Sequence, residues 1–302
     1  MRKVGIIGLG HVGATVAFTL FTHGIADELV LIDKNPKKAQ AEFNDLSDTL
    51  ARNDFHVKLK AQDFSDLRDL DVLITAFGNI KASVESGDRF AEFGFNSDAA
   101  KEVGQQIKDS GFHGIIINVA NPCDAVTTIL QKVTGLPQKH VFGTGTFLDT
   151  ARMQRAVGDH LHQDPRNVSG FVLGEHGNSQ FVAWSTVSVN NKPATSLLDE
   201  ATRAQLMQAT KDNAFVVAAG KGYTSYAIAT CAVRLAQAVF ADAKLFAPVS
   251  VFVPSVGTYV GYPAIIGADG VEEVIPLELT AAEDAEFRKS AQIIKEHVDQ
   301  LF

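Results

Sequence analysis

Cysteine is nearly absent: Cys123 and Cys231 are the two in 302 residues. Two are too few for a disulfide framework and suit a reducing compartment, and each reads as a small buried apolar residue. Positive charge is also short. The 27 lysines and arginines face 35 acidic residues, and the net charge of -8 suits neither a nucleic-acid backbone nor an anionic membrane face. A small anionic substrate stays open, because one or two buried arginines override the global field locally. No apolar run reaches membrane-spanning length. The first eight residues carry the basic and apolar parts of a signal peptide, but glycines, His11 and the lack of a small-residue cleavage site argue against one. No solenoid-period repeat and no low-complexity linker appears. His160 and His162 lack the cysteine or carboxylate pattern of a metal site and read, like the other peripheral histidines, as solvated helix-end residues. The expectation is a soluble cytoplasmic chain with no metal, whose 46% hydrophobic content fills one large core or two modest ones.

What is present begins at once. Residues 4–8 form a short apolar run without alternation, as in a strand buried on both faces of a parallel sheet. It opens into Gly8-Leu9-Gly10-His11-Val12-Gly13 and then a helical pattern. A second buried run, residues 28–32, closes on Asp33, twenty residues beyond Gly13. The triplet alone is a weak signal, but this context makes it specific. The first glycine permits a tight turn, the second a close approach to a pyrophosphate, and the third close packing of helix on strand. The diphosphate then lies at the helix N-terminus, where free N–H groups and the macrodipole favour an anion. Gly8, Gly10, His11, Val12 and Gly13 are the expected cofactor contacts. Asp33 accepts ribose hydroxyls and repels a 2′-phosphate, which favours NAD over NADP; it also suits the start of a turn ahead of Pro36.

Helical stretches over residues 36–52, 89–110 and 124–133 alternate with strands at 57–60, 72–76, 115–119 and 140–143. Such alternation predicts an α/β, doubly wound parallel sheet occupying residues 1–143, with the loops at Gly8, Asp33, Gly78 and Asn121 converging at the carboxyl ends of its strands. Residues 78–88 are polar, long for such a connection, and read as a lid ending at Arg89. Arg89 equally suits a solvated first helical turn, and Asn121-Pro122 equally suits a plain turn.

Residues 144–302 read as an α+β substrate domain: helical around 146–155, mostly helical over 199–246, with short strands between 249 and 274 and a helix from Thr280 onward. Its chemistry centres on His176. That residue follows a strand at Val168–Leu173 and lies between glycines that leave the imidazole unshielded, so it reads as an exposed proton-transfer group. Asp149 and Arg152 share a helix face, which by itself suits a local ion pair capped by Thr146. Beside His176 they suit more. A general-acid histidine needs a carboxylate to fix its tautomer, and a substrate acid needs a bidentate arginine.

The glycine motif with Asp33, Gly87-Asp88-Arg89, Asn121-Pro122, Leu148-Asp149-Thr150-Ala151-Arg152, Gly174-Glu175-His176-Gly177 and Gly222-Tyr223-Thr224-Ser225 occur in the order seen in L-lactate and malate dehydrogenases. The chain resembles that family over nearly its whole length. Its wording around Gly78-Asn79-Ile80-Lys81, Met153-Gln154-Arg155 and Asn178-Ser179-Gln180 looks most like the L-2-hydroxyisocaproate dehydrogenases of lactic acid bacteria. The resemblance implies reversible hydride transfer between NADH and a 2-oxo acid. His176 gives the proton, Asp149 orients it, Arg152 holds the substrate carboxylate, and Arg89 polarises the carbonyl as the lid closes. Asn121 contacts substrate or nicotinamide, Gly78 lies on the cofactor side, and Thr224 forms part of the pocket wall. The implied assembly is a homotetramer.

Departures narrow the substrate. The lid is about two residues longer than in ordinary lactate dehydrogenases, and none of Ala82, Ser83, Val84 or Glu85 is the arginine that malate dehydrogenases use for a second carboxylate. A longer, partly apolar lid favours medium or branched aliphatic 2-oxo acids over pyruvate, with an L-lactate dehydrogenase as the alternative. Gln154 and Ser169 stand where fructose-bisphosphate-activated relatives have Arg and His, so no such activation is expected. Because the sequence opens on its first strand, the N-terminal arm of some family tetramers is not expected. A catalytically silent NAD-binding sensor is the reading from another class, although it has no need of Asp149, Arg152 and His176 together.

Overall fold

The computed structural model of the chain describes residues 1–78 and 92–302. Six parallel strands form its centre: β1 (Lys3–Ile7), β2 (Glu28–Ile32), β3 (Lys58–Ala61), β4 (Val72–Thr75), β5 (Ile115–Asn118) and β6 (Val141–Gly143). They are ordered β3-β2-β1-β4-β5-β6, the doubly wound arrangement expected from the alternation. Helices α1 (His11–Thr22), α2 (Pro36–Thr49), α3 (Phe93–Asp109) and α4 (Cys123–Thr134) make the crossovers. Because helices cover both faces, β1, β2, β4 and β5 carry unbroken apolar runs; Val4, Ile6, Leu29, Leu31, Val72 and Ile74 pack on one face and Ile7, Val30, Ile32 and Leu73 on the other.

The sheet does not stop where the parallel strands do. Ser250 of β10 (Leu245–Val253) pairs antiparallel with Gly143, and β11 (Thr258–Gly267) and β12 (Gly270–Val274) extend the sheet to nine strands. The short strands expected over residues 249–274 are thus mostly long ones, of nine and ten residues in β10 and β11. Burial on both faces, seen along nearly all of β11, lets them run that far. A second sheet joins β7 (Val168–Leu173), β8 (Phe181–Val189) and β9 (Lys192–Pro193). The sequence patterning did not single out β8.

The remaining helices are α5 (Phe147–Leu161), the short α6 (Ala194–Leu197), α7 (Glu200–Lys221), α8 (Tyr226–Phe240) and α9 (Ala281–Asp299). Thr280 and Glu283 close a capping box on α9, which fixes its start where the sequence put it. No helix among the described residues is long and apolar enough to cross a membrane. Of the expected lid, Gly78 is described; residues 79–91, with Ala82, Ser83, Val84, Glu85 and Arg89, lie outside the described residues.

Candidate active site

Of the four loops expected at the carboxyl ends of the parallel strands, those at Gly8, Asp33 and Asn121 are described there, and of the fourth only its start at Gly78. In the glycine loop each glycine has its own reason. Gly8 has φ +94, and a Cβ on it would lie 2.5 Å from the backbone of Phe77. A Cβ on Gly13 would lie 1.9 Å from the Gly8 carbonyl oxygen, so only glycine lets α1 start this close to β1. A Cβ on Gly10 would meet nothing within 4 Å. That space lies at the N-terminus of α1, where the first N–H groups have no helical partner.

Asp33 starts the turn that the sequence allowed and is also tied to the glycine loop. Its Oδ1 accepts from the Asn35 N–H (2.8 Å), the start of the turn into α2, and its Oδ2 accepts from Leu9 N–H (2.7 Å) inside the glycine loop. A carboxylate has about four lone-pair positions, so capacity for ribose hydroxyls remains. His11 is exposed and stacks flat on Tyr223, with ring centroids 3.5 Å apart and 3° between planes. Val12 packs against the cluster of Leu148, Ile228 and Cys231, as do Val119 and Phe147. The loop holding Tyr223 and the half-buried Thr224 is thereby brought against the glycine loop, although more than 200 residues separate them in sequence.

The ionisable cluster forms where α5 meets the end of β7. Asp149 is fully buried, His176 is 8% exposed and Arg152 is 9% exposed. His176 Nδ1 lies 2.5 Å from Asp149 Oδ2, and Arg152 Nη1 donates to Asp149 Oδ1 at 2.8 Å. The local ion pair and the orienting carboxylate are therefore one arrangement. Nη1 is committed to Asp149, but the rest of the guanidinium fork keeps donors for a second carboxylate. The Gln180 amide nitrogen, turned toward Asp149, donates to both its oxygens at 3.2 and 2.8 Å. Gln180 was not anticipated as a site residue; its sequence signals were nearness to His176 and its place in the family-like wording Asn178-Ser179-Gln180.

Two expectations fail here. His176 is buried, not exposed, and the flanking glycines are places of close packing. A Cβ on Gly177 would lie 1.9 Å from the Glu175 carboxylate, and one on Gly174, at φ +92, would lie 2.6 Å from Ser290 Oγ. The glycines let neighbouring groups close over the turn instead of baring the imidazole. Thr146 occupies the N-cap position of α5, but its side chain makes no capping bond, and its Oγ1 is buried without a partner.

The turn itself is tied on several sides. Glu175 N–H donates to Ser290 Oγ of α9 (2.8 Å), Ser179 Oγ donates to the Glu175 carboxylate, and Val172 N–H donates to Thr150 Oγ1 of α5 (2.9 Å). Asn121 follows β5 with a cis bond to Pro122; its carbonyl accepts from Asn96 Nδ2 at 2.6 Å, beside Gly78. Asn118, the last residue of β5, is buried and holds this corner through Thr75, Ala120, Cys123 and Thr127. Burial pushes the Cys123 and Cys231 thiols up to about 12, which leaves both inert, as expected of small core residues.

Comparison with known proteins decides the family. Residues 2–143 match the lactate/malate dehydrogenase NAD binding domain, and residues 146–302 match the alpha/beta C-terminal domain of the same family. The chain belongs to the lactate/malate dehydrogenase family. L-lactate dehydrogenase 1 of Bifidobacterium longum is 38% identical over 311 aligned positions, which cover 99% of this chain and 98% of that protein. L-lactate dehydrogenase 2 of Enterococcus faecalis is 34% identical, covering 99% and 97%. The crystal structure of minor L-lactate dehydrogenase from Enterococcus mundtii in its ligands-bound form superposes with a TM-score of 0.94 at 32% identity, covering 100% of this chain and 98% of that one.

The chain is accordingly an NAD-dependent oxidoreductase acting on a CH–OH group. The glycine loop fits that cofactor of the lactate/malate dehydrogenase family on its own geometry. The space beside Gly10 is open at a helix N-terminus, as an anion requires, and Asp33 stands at the loop with acceptor capacity to spare.

Proposed function

We propose that the chain is an L-2-hydroxy acid dehydrogenase in which His176 carries the proton. The observation that supports this best is the buried cluster in which Asp149 meets both His176 and Arg152. NAD, when bound, supplies or takes up the hydride. Ionised Asp149 holds Nδ1 of His176 as the protonated nitrogen, which leaves Nε2 to give a proton to the carbonyl oxygen or to take one from the hydroxyl. It also stabilises the imidazolium, as an opposite charge does in a site shielded from water. Arg152 holds the substrate carboxylate through two parallel hydrogen bonds, which fixes the carbonyl against the imidazole. Arg89 polarises that carbonyl from the lid, Asn121 and Thr224 line the substrate side, and Gly8, Gly10, His11, Val12, Gly13, Asp33 and Gly78 line the cofactor side.

Two substrate readings belong to this proposal. Pyruvate and L-lactate are supported by relatives that are named L-lactate dehydrogenases and match nearly end to end. A medium or branched aliphatic 2-oxo acid, of the L-2-hydroxyisocaproate type, is supported by the longer, partly apolar stretch over residues 79–88. Activation by fructose bisphosphate is not part of either reading. Gln154 spends its amide on the Val168 carbonyl (2.7 Å) and Ser169 pairs with Ser188 (2.7 Å), so neither offers a cation to a phosphate. We further propose a cytoplasmic homotetramer whose cofactor part is residues 1–143 and whose substrate part is residues 144–302.

The deciding experiment is NADH oxidation with pyruvate, oxaloacetate, 4-methyl-2-oxopentanoate and phenylpyruvate. Highest kcat/KM on pyruvate selects the lactate reading, and highest on 4-methyl-2-oxopentanoate selects the bulkier one. No turnover on any, with NADH still bound, would leave a silent NAD-binding sensor.

A further inference from the structure

The backbone of the catalytic turn is held by a side chain that proton transfer does not itself use. Asp124, in the first turn of α4, is 2% exposed, and its Oδ2 accepts a 2.8 Å hydrogen bond from the backbone N–H of His176. Its other oxygen, Oδ1, is buried without a hydrogen-bond partner. Ser250 of β10 has its hydroxyl close enough to favour the charged carboxylate, yet Ser250 Oγ also completes no well-formed bond. An aspartate in a first helical turn usually complements the helix dipole from the surface. Here it is wholly buried, and its one formed side-chain bond goes to the amide of the histidine.

We propose that Asp124 is a positioning residue of the proton-transfer site, which fixes the His176 backbone and whose ionisation sustains reduction toward alkaline pH. This rests on the reading of His176 as the proton donor. Burial pushes Asp124 up to about 7, with the Ser250 hydroxyl and the His176 N–H opposing that rise and the buried Glu175 adding to it. Near neutral pH the carboxyl is therefore divided between its two forms. Ionised Asp124 is a negative charge against the His176 turn and favours the imidazolium, the form that gives a proton to a 2-oxo acid. The two groups then titrate as a coupled pair. The other charged or titratable groups around this pair are Asp149 and Arg152 on α5, Glu175 in the turn and the inert Cys123 on α4; β10 presents Ser250 and α9 presents Ser290, neither of them charged.

Two substitutions separate geometry from charge. Asp124→Asn keeps an acceptor for the His176 N–H, and its amide nitrogen can donate to Ser250 Oγ, but it carries no charge. Asp124→Ala removes both. Reduction of the best 2-oxo acid by NADH is followed across pH, with NADH affinity from fluorescence and folding from circular dichroism. In Asp124→Asn the alkaline limb of kcat/KM should fall earlier by about one pH unit, the size a close charge gives. In Asp124→Ala kcat should fall on the order of tenfold to a hundredfold, as for a misplaced catalytic group. NADH affinity should stay unchanged in both, and Asn should restore most of the kcat lost with Ala. If either variant does not fold, Ser250→Ala decides: it disfavours the charged carboxylate and should move the limb the same way by less. An unmoved limb in Asp124→Asn or Ser250→Ala, or wild-type kcat in Asp124→Ala, overturns the proposal. Turnover that survives His176→Asn would instead overturn the reading beneath it.

Discussion

The two ends of the parallel strands treat buried polarity in opposite ways. At the amino ends of β1 and β2 it is paired. Glu28 opens β2 at 4% exposure and meets Lys58 at 3.1 Å and Lys60 at 3.0 Å from β3. Nearby, Arg2 pairs with Asp27 and the Lys3 N–H donates to Asp71. At the carboxyl ends, Asn96 Oδ1, Asp124 Oδ1, Thr146 Oγ1 and Ser250 Oγ are all buried without partners. Among the described residues, only His140 Nδ1 and Arg203 Nε share that condition, and His140 precedes β6 at the amino side. Each such atom costs about 1–3 kcal/mol. The fold therefore concentrates its unsatisfied groups on the edge where the chemistry is proposed, and closes the opposite edge with ion pairs.

The largest break in this contrast should come from His176→Asn. Positioned proton transfer contributes on the order of 10² to 10⁴ in rate. The variant should lose about a thousandfold in kcat while its melting temperature and NADH titration stay close to wild type. Activity near wild type would remove His176 from its role.

Within the carboxyl edge, the glycine loop offers a sharper test because two of its glycines differ in what surrounds them. Gly13→Ala drives a Cβ to 1.9 Å from a backbone oxygen that no side-chain rotation can relieve. It should cost about 3 kcal/mol of stability, the upper range for overpacking. Gly10→Ala meets no atom within 4 Å and should leave the melting temperature unmoved. Its methyl group occupies the space proposed for the diphosphate, so NADH should bind about tenfold more weakly, a loss of about 1.4 kcal/mol. Equal melting temperatures for the two variants would break the assignment of structural and cofactor roles.

The same loop shows what a sequence displays and what it hides. The geometry at Gly8, Gly10, Gly13 and Asp33 was legible because it is local: one turn, one helix start and the end of the next strand. Asp149 and Arg152 were legible as a pair for the same reason, three residues apart on a helix. Their meeting with His176 needed chemical reasoning, since Asp149 and His176 are 27 positions apart with a strand between them. Asp124 and Ser290 gave no sign. An acid in a first helical turn looks like any dipole complement, and a serine within α9 looks like surface; only packing of distant elements shows that they hold the His176 turn. The exposed histidine expected from Gly174 and Gly177 was a misreading of the same kind, because a glycine that bares a neighbour and one that admits another chain segment are identical in sequence.

The smallest effect expected concerns stability and pH, and it sets Asp124 directly against Glu28. Burial alone would raise the Glu28 carboxyl, but hydrogen bonds from Lys60 and Lys58 outweigh it and hold the group below the usual carboxylate range. Its contribution is thus present above the unfolded value and lost as pH falls through the lower folded one. Asp124 is raised from 3.8 to about 7, so between those values the native state binds more protons than the unfolded chain. Stability from this group is complete in acid and declines as pH rises toward 7, by at most a few kcal/mol. Asp124→Asn has no such proton to lose. Its urea midpoint relative to wild type should climb between about pH 4 and pH 7 and then level off, whereas the deficit of Lys60→Met should be largest at neutral pH and shrink in acid. A gap between Asp124→Asn and wild type that does not change with pH would mean that the Asp124 carboxyl is as well satisfied as Glu28, and the contrast between the two edges would fail at that residue.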